Sequence, residues 1–401
     1  MKKSFVLFCA LFVLLLAGCE EPSEQISDTS SRTAVSSPAD LKISPEDRSP
    51  ANWGADFVET EAGLYYGSGT ISGNETLPLI YFCPRGGDSF YPLCSKPDCA
   101  HNDENCDAWY GTSFGYYNGA LYYATHELGQ IKVYQMNLDG TDHRLVASVD
   151  TSKSRCGFSS VFHHGKLIMA GQAMTNIPEE EQQDHLIVLD LSDYTQTEPA
   201  EDFLRTARLL PPFLLYDQDK VYTTGSADRR LNYSLDEEKL IEVDLVSGEV
   251  RTPLDGCISG LYITDPTWYY FQPDTSALDP RCENANPGFR EYDPERGTIR
   301  ECGMPADDIL WARYDEDYIY AGTNYRNTEG NRTLYILSRD YQLFGQMEMK
   351  NMQTIAAVTS DRIYFSDDFR CPINCYLDKS DIGSHALELK PIEYLGLPGQ
   401  N

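Results

Sequence analysis

The chain has 401 residues, with 62 Asp and Glu against 32 Lys and Arg and a formal charge of -30. So acidic a chain repels nucleic acid, which is excluded as a partner, whereas cationic peptides, divalent metals and neutral sugars stay compatible with it. Beyond residue 50 the chain is long for one ordinary domain and no second linker divides it, so one large repeat architecture is expected.

Met1-Lys2-Lys3 begins the chain with positive charge, and Phe5 to Leu16 follow without any charge. Those twelve residues make only about 18 Å of helix, too short for a bilayer core of roughly 30 Å. The length fits the apolar region of an export signal. Leu16-Ala17-Gly18-Cys19 comes next and resembles the lipobox of bacterial lipoproteins. The resemblance implies cleavage after residue 18, a diacylglyceryl thioether on Cys19, and residence on the outer face of a bacterial cell membrane. Several acyl chains hold a membrane far more tightly than one. Residues 19–50 are rich in Ser, Thr, Pro, Glu and Asp and carry no aromatic side chain. They cannot bury a core and read as a disordered tether. The folded domain is expected over 51–401.

One pattern then recurs: a polar turn followed by a short run rich in Tyr and Ile. Its copies are Ala62 to Tyr66, Asn118 to Tyr123, His164 to Ile168, Gln218 to Tyr222, a degenerate Pro266 to Tyr270, Glu316 to Tyr320 and Ser360 to Tyr364. A spacing of roughly 45–55 residues is that of one four-stranded propeller blade. Partner runs follow at Lys132 to Leu138, Leu186 to Leu191, Leu240 to Leu245 and Thr333 to Leu337. Several end in turns such as Asp139-Gly140 or Ser247-Gly248, which supply the positive φ that hairpins need. No stretch after Pro50 keeps a helical period, although Pro178 to Asp184 suits one helical turn. The fold class is therefore all-β, a propeller of four-stranded blades. Seven blades are expected, and six or eight fit if one copy is miscounted.

The unit Ile131 to Thr141, closed by Leu145, resembles the blade signature of TolB-type propellers. The whole repeat is similar to bacterial lipoprotein propellers related to the low-density-lipoprotein-receptor type. That resemblance implies fold and export, and little about activity.

Twelve cysteines, less Cys9 in the signal and Cys19, leave ten, an even number that permits disulfides in an exported protein. Cys371 and Cys375 suit a local loop, and Cys282 and Cys302 flank one hairpin. The densest constellation is Cys94, Cys99, His101 and Cys106. Three thiolates and an imidazole suffice for tetrahedral zinc. Their order resembles that of zinc knuckles, but four, one and four residues intervene here against the knuckle's two, four and four. Spending three cysteines on a metal would also leave an odd number. The sequence therefore favours a disulfide-stapled loop, with one of the three bridged to Cys83 or further away. No cofactor is expected, and zinc is the alternative.

Gly111-Thr112-Ser113-Phe114-Gly115 matches the G-x-S-x-G nucleophile pattern. That motif needs a strand-to-helix turn, whereas Tyr116 to Ala124 reads as another strand, so chance is the better account. His126, His143, His163 and His164 read as solvated turn residues. The acidic clusters Glu179 to Glu181, Asp236 to Glu238, Asp307-Asp308, Asp315 to Asp317 and Asp367-Asp368 read as solvated loops. No residue is assigned a catalytic role, and a monomer is expected. The favoured function is a tethered binding or scaffold module for protein, peptide or glycan. The alternatives are a surface polysaccharide-active enzyme with carboxylates in the channel, or a metal-binding sensor using the Cys94–Cys106 loop. Two carboxylates, or a His and a Tyr, about 5–9 Å apart in the channel mouth would favour the enzyme.

Overall fold

The computed structural model describes residues 56–395, apart from short stretches within that span. Cys19 and the tether lie outside the described residues. Seven antiparallel sheets follow one another along the chain, each built from consecutive strands. The first blade holds β1 (Asp56–Glu59), β2 (Gly63–Ser72), β3 (Glu75–Pro84) and β4 (Ser89–Pro92). The second holds β5 (Ser113–Tyr117), β6 (Ala120–Glu127), β7 (Gln130–Met136) and β8 (Arg144–Asp150). In the third are β9 (Cys156–His163), β10 (Lys166–Ala173), β11 (His185–Asp190) and β12 (Gln196–Thr197). The fourth contains β13 (Arg208–Asp217), β14 (Lys220–Ser226), β15 (Lys239–Asp244) and β16 (Val250–Asp255). β17 (Gly260–Ile263), β18 (Trp268–Gln272), β19 (Gly288–Asp293) and β20 (Thr298–Glu301) make the fifth. The sixth is β21 (Ile309–Tyr314), β22 (Ile319–Thr323), β23 (Arg332–Leu337) and β24 (Leu343–Met349). The seventh is β25 (Thr354–Val358), β26 (Arg362–Ser366), β27 (Ile373–Asp378) and β28 (Lys390–Pro391), and β29 (Glu393–Tyr394) follows it. The fold is a seven-bladed β-propeller, as the repeat implied.

All seven copies of the sequence repeat enter or form the second strand of successive blades. The reason is burial. In β6 the first six side chains are all buried, and in β26 four of five. Third strands such as β7 bury Ile131 and Val133 and leave Lys132 and Tyr134 half-exposed. Outer strands face solvent, as in the fully exposed β20. Each fully buried Leu, Ile or Val contributes roughly 1.5–3 kcal/mol, so the middle of each blade carries most of the apolar stabilisation. The turns Asn118-Gly119 and His164-Gly165 have positive φ at both positions, as two-residue hairpins between twisted strands require.

A short C-terminal clasp joins the last blade to the first. β29 pairs in parallel with β4, adding a fifth strand to the first sheet. The Tyr394 hydroxyl donates to the Ile373 carbonyl at 2.6 Å, and its ring stacks on Phe90 at 5.6 Å. On the same seam the Ser360 amide and hydroxyl donate to the Glu59 carboxylate at 3.0 and 2.6 Å. Arg362 ion-pairs with Asp378 at 3.0 Å and also reaches the Gly87 carbonyl. Among the described residues no helix is long and apolar enough to cross a membrane.

The connections are unequal. First and second strands are joined by tight turns such as 118–119, 164–165 and 218–219. Second and third strands of blades three to seven are joined by 174–184, 227–238, 273–287, 324–331 and 367–372. Equivalent strands of a propeller run the same way, so these five longer connections all leave from one end of the molecule. Together they carry fourteen Asp and Glu against five Arg and no Lys.

Candidate metal centre

The segment 93–112 does not simply link two blades. After β4 the chain bulges outward, then returns to the same sheet edge. The Leu93 amide donates to the Ile80 carbonyl at 2.8 Å, the Ile80 amide to the Ala108 carbonyl at 2.8 Å, and the Tyr110 amide to the Pro78 carbonyl at 3.3 Å. Residues 108–110 thus resume the outer strand that β4 began, and the intervening insertion holds Cys94, Cys99, His101 and Cys106.

The insertion brings these four together. Their ligand atoms all lie within 4.8 Å of one another. His101 Nδ1 stands 3.2 Å from Cys106 Sγ. Tight backbone turns produce this convergence. The Cys99 amide donates to the Lys96 carbonyl and the Cys106 amide to the Asp103 carbonyl, both at 3.2 Å. His101 adopts a left-handed φ of 51°, which reverses the chain between the two turns. The Asn105 amide caps the second turn on the Asp103 carboxylate at 2.8 Å. Lys96 crosses the loop, bonded to Asp107 Oδ1 and the Asn105 carbonyl, each at 2.6 Å.

Electrostatically the site is a set of crowded sulfurs. Burial first, and the neighbouring Cys94 and Cys99 after it, push the Cys106 thiol well above its ordinary range, against the Ala108 amide that donates to its Sγ at 3.4 Å. Burial lowers the His101 imidazole. All three cysteines, and Cys83, are free thiols. Cys282, Cys302 and Cys375 are free as well, while Cys371 lies outside the described residues.

The insertion is fixed to the second blade by His143. Its Nε2 lies 3.0 Å from both the Asp107 and Gly140 carbonyls, and its Nδ1 lies 2.9 Å from the Tyr123 hydroxyl. His143 was expected to be solvated; here it bridges the insertion to β6 and the turn after β7.

Other histidines also depart from that expectation. His163, at the end of β9, is buried and stacks on Tyr216 of β13 at 5.3 Å. Burial and then the adjacent His164 and Lys166 bring its imidazole down to about 4. This His–Tyr pair converges, but inside the joint between blades three and four. His126, on β6, has Nε2 3.0 Å from Ser160 Oγ, which in turn lies 2.8 Å from Ser113 Oγ. Ser113 opens β5 and leads into a strand turn, as the reading of its motif as chance expects.

Among the acidic clusters, Glu179 to Glu181 lie outside the described residues. Two other groups are not solvated as expected. Glu238 is buried, and desolvation moves its carboxyl up to about 7, opposed by a hydrogen bond from Cys257. Asp315 forms an inter-blade node: it accepts from the Asp317 and Tyr318 amides at 2.8 Å and the Tyr320 hydroxyl at 2.6 Å, and ion-pairs with buried Lys379 at 2.8 Å.

The class these observations define is a seven-bladed propeller with one cysteine-rich insertion on its first blade. No protein-family profile matches the sequence, and no curated protein matches it. Among solved structures, a prolyl endopeptidase aligns at 10% identity and a TM-score of 0.53 over 85% of this chain. This chain spans about half of that protein's length. The xyloglucanase of Xanthomonas campestris aligns at 12% identity and a TM-score of 0.46, over 88% of this chain and 56% of its own. The β-propeller domain of the Pyrococcus furiosus Trilobed protease aligns at 9% identity and 0.44, over 84% and 97%. Likeness at such identity is one of fold.

Proposed function

We propose that the chain is an extracytoplasmic lipoprotein of the TolB and low-density-lipoprotein-receptor propeller type, tethered by lipid on Cys19, that presents a binding face to a protein, peptide or glycan. The observation that carries the binding role is the unequal distribution of connections. Loops positioned on a rigid scaffold are where recognition residues concentrate. Here five acidic connections leave one end of a seven-bladed frame, and the turns joining first to second strands at the opposite end of the same blades are short. Their excess of carboxylates favours a cationic ligand, so a basic peptide segment is the preferred partner class. The anchor rests on Leu16 to Cys19 and the aromatic-free segment behind it.

Two experiments test the reading. The full chain, solubilised in detergent and immobilised, should retain basic peptides over acidic peptides of equal length. Retention should weaken about tenfold as salt rises from about 0.05 to 0.5 M, because exposed charges are screened over shorter distances. Equal retention of basic, neutral and acidic peptides would remove the charge argument. In cells fed labelled palmitate, Cys19→Ser should abolish labelling; a labelled variant would refute the anchor.

A further inference from the structure

We propose that Cys94, Cys99, His101 and Cys106 bind one zinc ion in a closed tetrahedral site that locks the insertion onto the outer edge of the first blade. The argument is geometric. A tetrahedral site with Zn–S near 2.3 Å and Zn–N near 2.1 Å has ligand–ligand edges of roughly 3.6–3.8 Å. The four ligand atoms already lie within 4.8 Å of one another, with His101 Nδ1 and Cys106 Sγ at 3.2 Å. Shifts of about an ångström at the side chains complete the figure.

Pairwise oxidation explains the arrangement less well. A disulfide uses two sulfurs and needs no imidazole, whereas here a third sulfur and a ring nitrogen converge on the same point. The chain invests in that convergence through the left-handed backbone at His101 and the two turns that return Cys99 and Cys106 to it. The Ala108 amide already donates to Cys106 Sγ, the kind of outer contact that orients a thiolate ligand.

Four protein ligands leave no open position, which makes the site structural. Cys94 and Cys106 lie near the two points where the chain leaves and rejoins the sheet edge, so the ion would close the bulge at its neck. Asp107, next to Cys106, is the residue His143 holds from the second blade. The ion therefore stabilises the joint between blades one and two. On binding, the three thiols lose their protons to solvent and the neutral imidazole supplies a lone pair.

The test uses the full chain, purified without added metal or chelator and then exposed to zinc chloride. Metal analysis should find one zinc per chain, retained by Cys302→Ser and lost from Cys99→Ser and His101→Ala. An organomercurial titration of the unmutated chain should release one zinc per chain as its thiols react, which reads the site even if a variant fails to fold. Cobalt in place of zinc should give the intense visible bands of a tetrahedral thiolate complex. Undiminished zinc in Cys99→Ser would overturn the proposal. So would a metal-free chain whose alkylated peptides show any two of Cys94, Cys99 and Cys106 joined as a disulfide.

Discussion

Lys379→Met is expected to lower the unfolding free energy by about 3–5 kcal/mol, the range for removing one partner of a buried ion pair. Lys379 follows β27 in the seventh blade, and its ammonium reaches across to Asp315 at 2.8 Å and Asp317 at 3.5 Å, in the turn between β21 and β22 of the sixth. Both Lys379 and Asp315 are shielded from solvent, with side-chain exposures of 9% and 11%. Without the lysine, Asp315 keeps two backbone amides and the Tyr320 hydroxyl, so its charge is partly compensated and the loss belongs at the lower end of the range. The double variant Lys379→Met, Asp315→Asn removes the stranded charge. It should recover more than half of the loss, because replacing both partners avoids the cost of an unpaired one. Urea unfolding followed by tryptophan fluorescence measures both. A single variant within about 0.5 kcal/mol of the parent would show that solvent reaches this joint.

Lys379 and Asp315 also show where sequence reasoning stops. Asp315 stands in an Asp-Glu-Asp run that looks like any solvated acidic turn, and its partner lies 64 positions later on another blade. Nothing local to either residue marks the pairing. The second strands were legible for the opposite reason. Runs such as Ala120 to Thr125 are buried on both faces, so their apolar residues are continuous and recur with the blade. Third strands showed through β-rich runs that end in polar turns, such as Lys132 to Leu138 before Asp139-Gly140. First strands, such as Cys156–His163 with its mixture of half-buried and exposed positions, and outer strands, such as the exposed Thr298–Glu301, carry no pattern strong enough to read. The cysteine cluster was visible as composition. Its convergence was not, because the left-handed turn at His101 and the return of Ala108 to Ile80 follow from the sheet edge beside them. His143 and His163 were misread as solvated because His163 is buried and His143 is hydrogen-bonded by neighbouring elements that adjacent sequence does not reveal.

Two buried titrating groups should pull the pH dependence of stability in opposite directions. Glu238 has a carboxyl raised from 4.5 to about 7 by desolvation. The folded state therefore binds its proton more tightly than the unfolded state. The stability it contributes is fully present below about pH 4.5 and is lost as pH rises through about 7. At about 1.4 kcal/mol per pKa unit that swing is about 3 kcal/mol. His163 has an imidazole lowered from 6.5 to about 4, with burial the main cause, and Lys166, His164 and Asp219 also facing it. Here the folded state excludes a proton that the unfolded chain accepts. Its stability is fully present above about pH 6.5 and is lost as pH falls through about 4, again by about 3 kcal/mol. Between about pH 4.5 and 6.5 the two contributions nearly cancel, so the parent conceals both. Single variants separate them. Relative to the parent, Glu238→Gln should gain about 3 kcal/mol on going from pH 4 to pH 8. His163→Phe, which keeps a ring against Tyr216, should gain about 3 kcal/mol on going from pH 7 to pH 4. Urea midpoints across that range give the two difference curves, from which titrations common to parent and variant drop out. A flat difference curve for Glu238→Gln would mean that its carboxylate is solvated, and a flat curve for His163→Phe would mean that the joint between blades three and four admits the protonated ring.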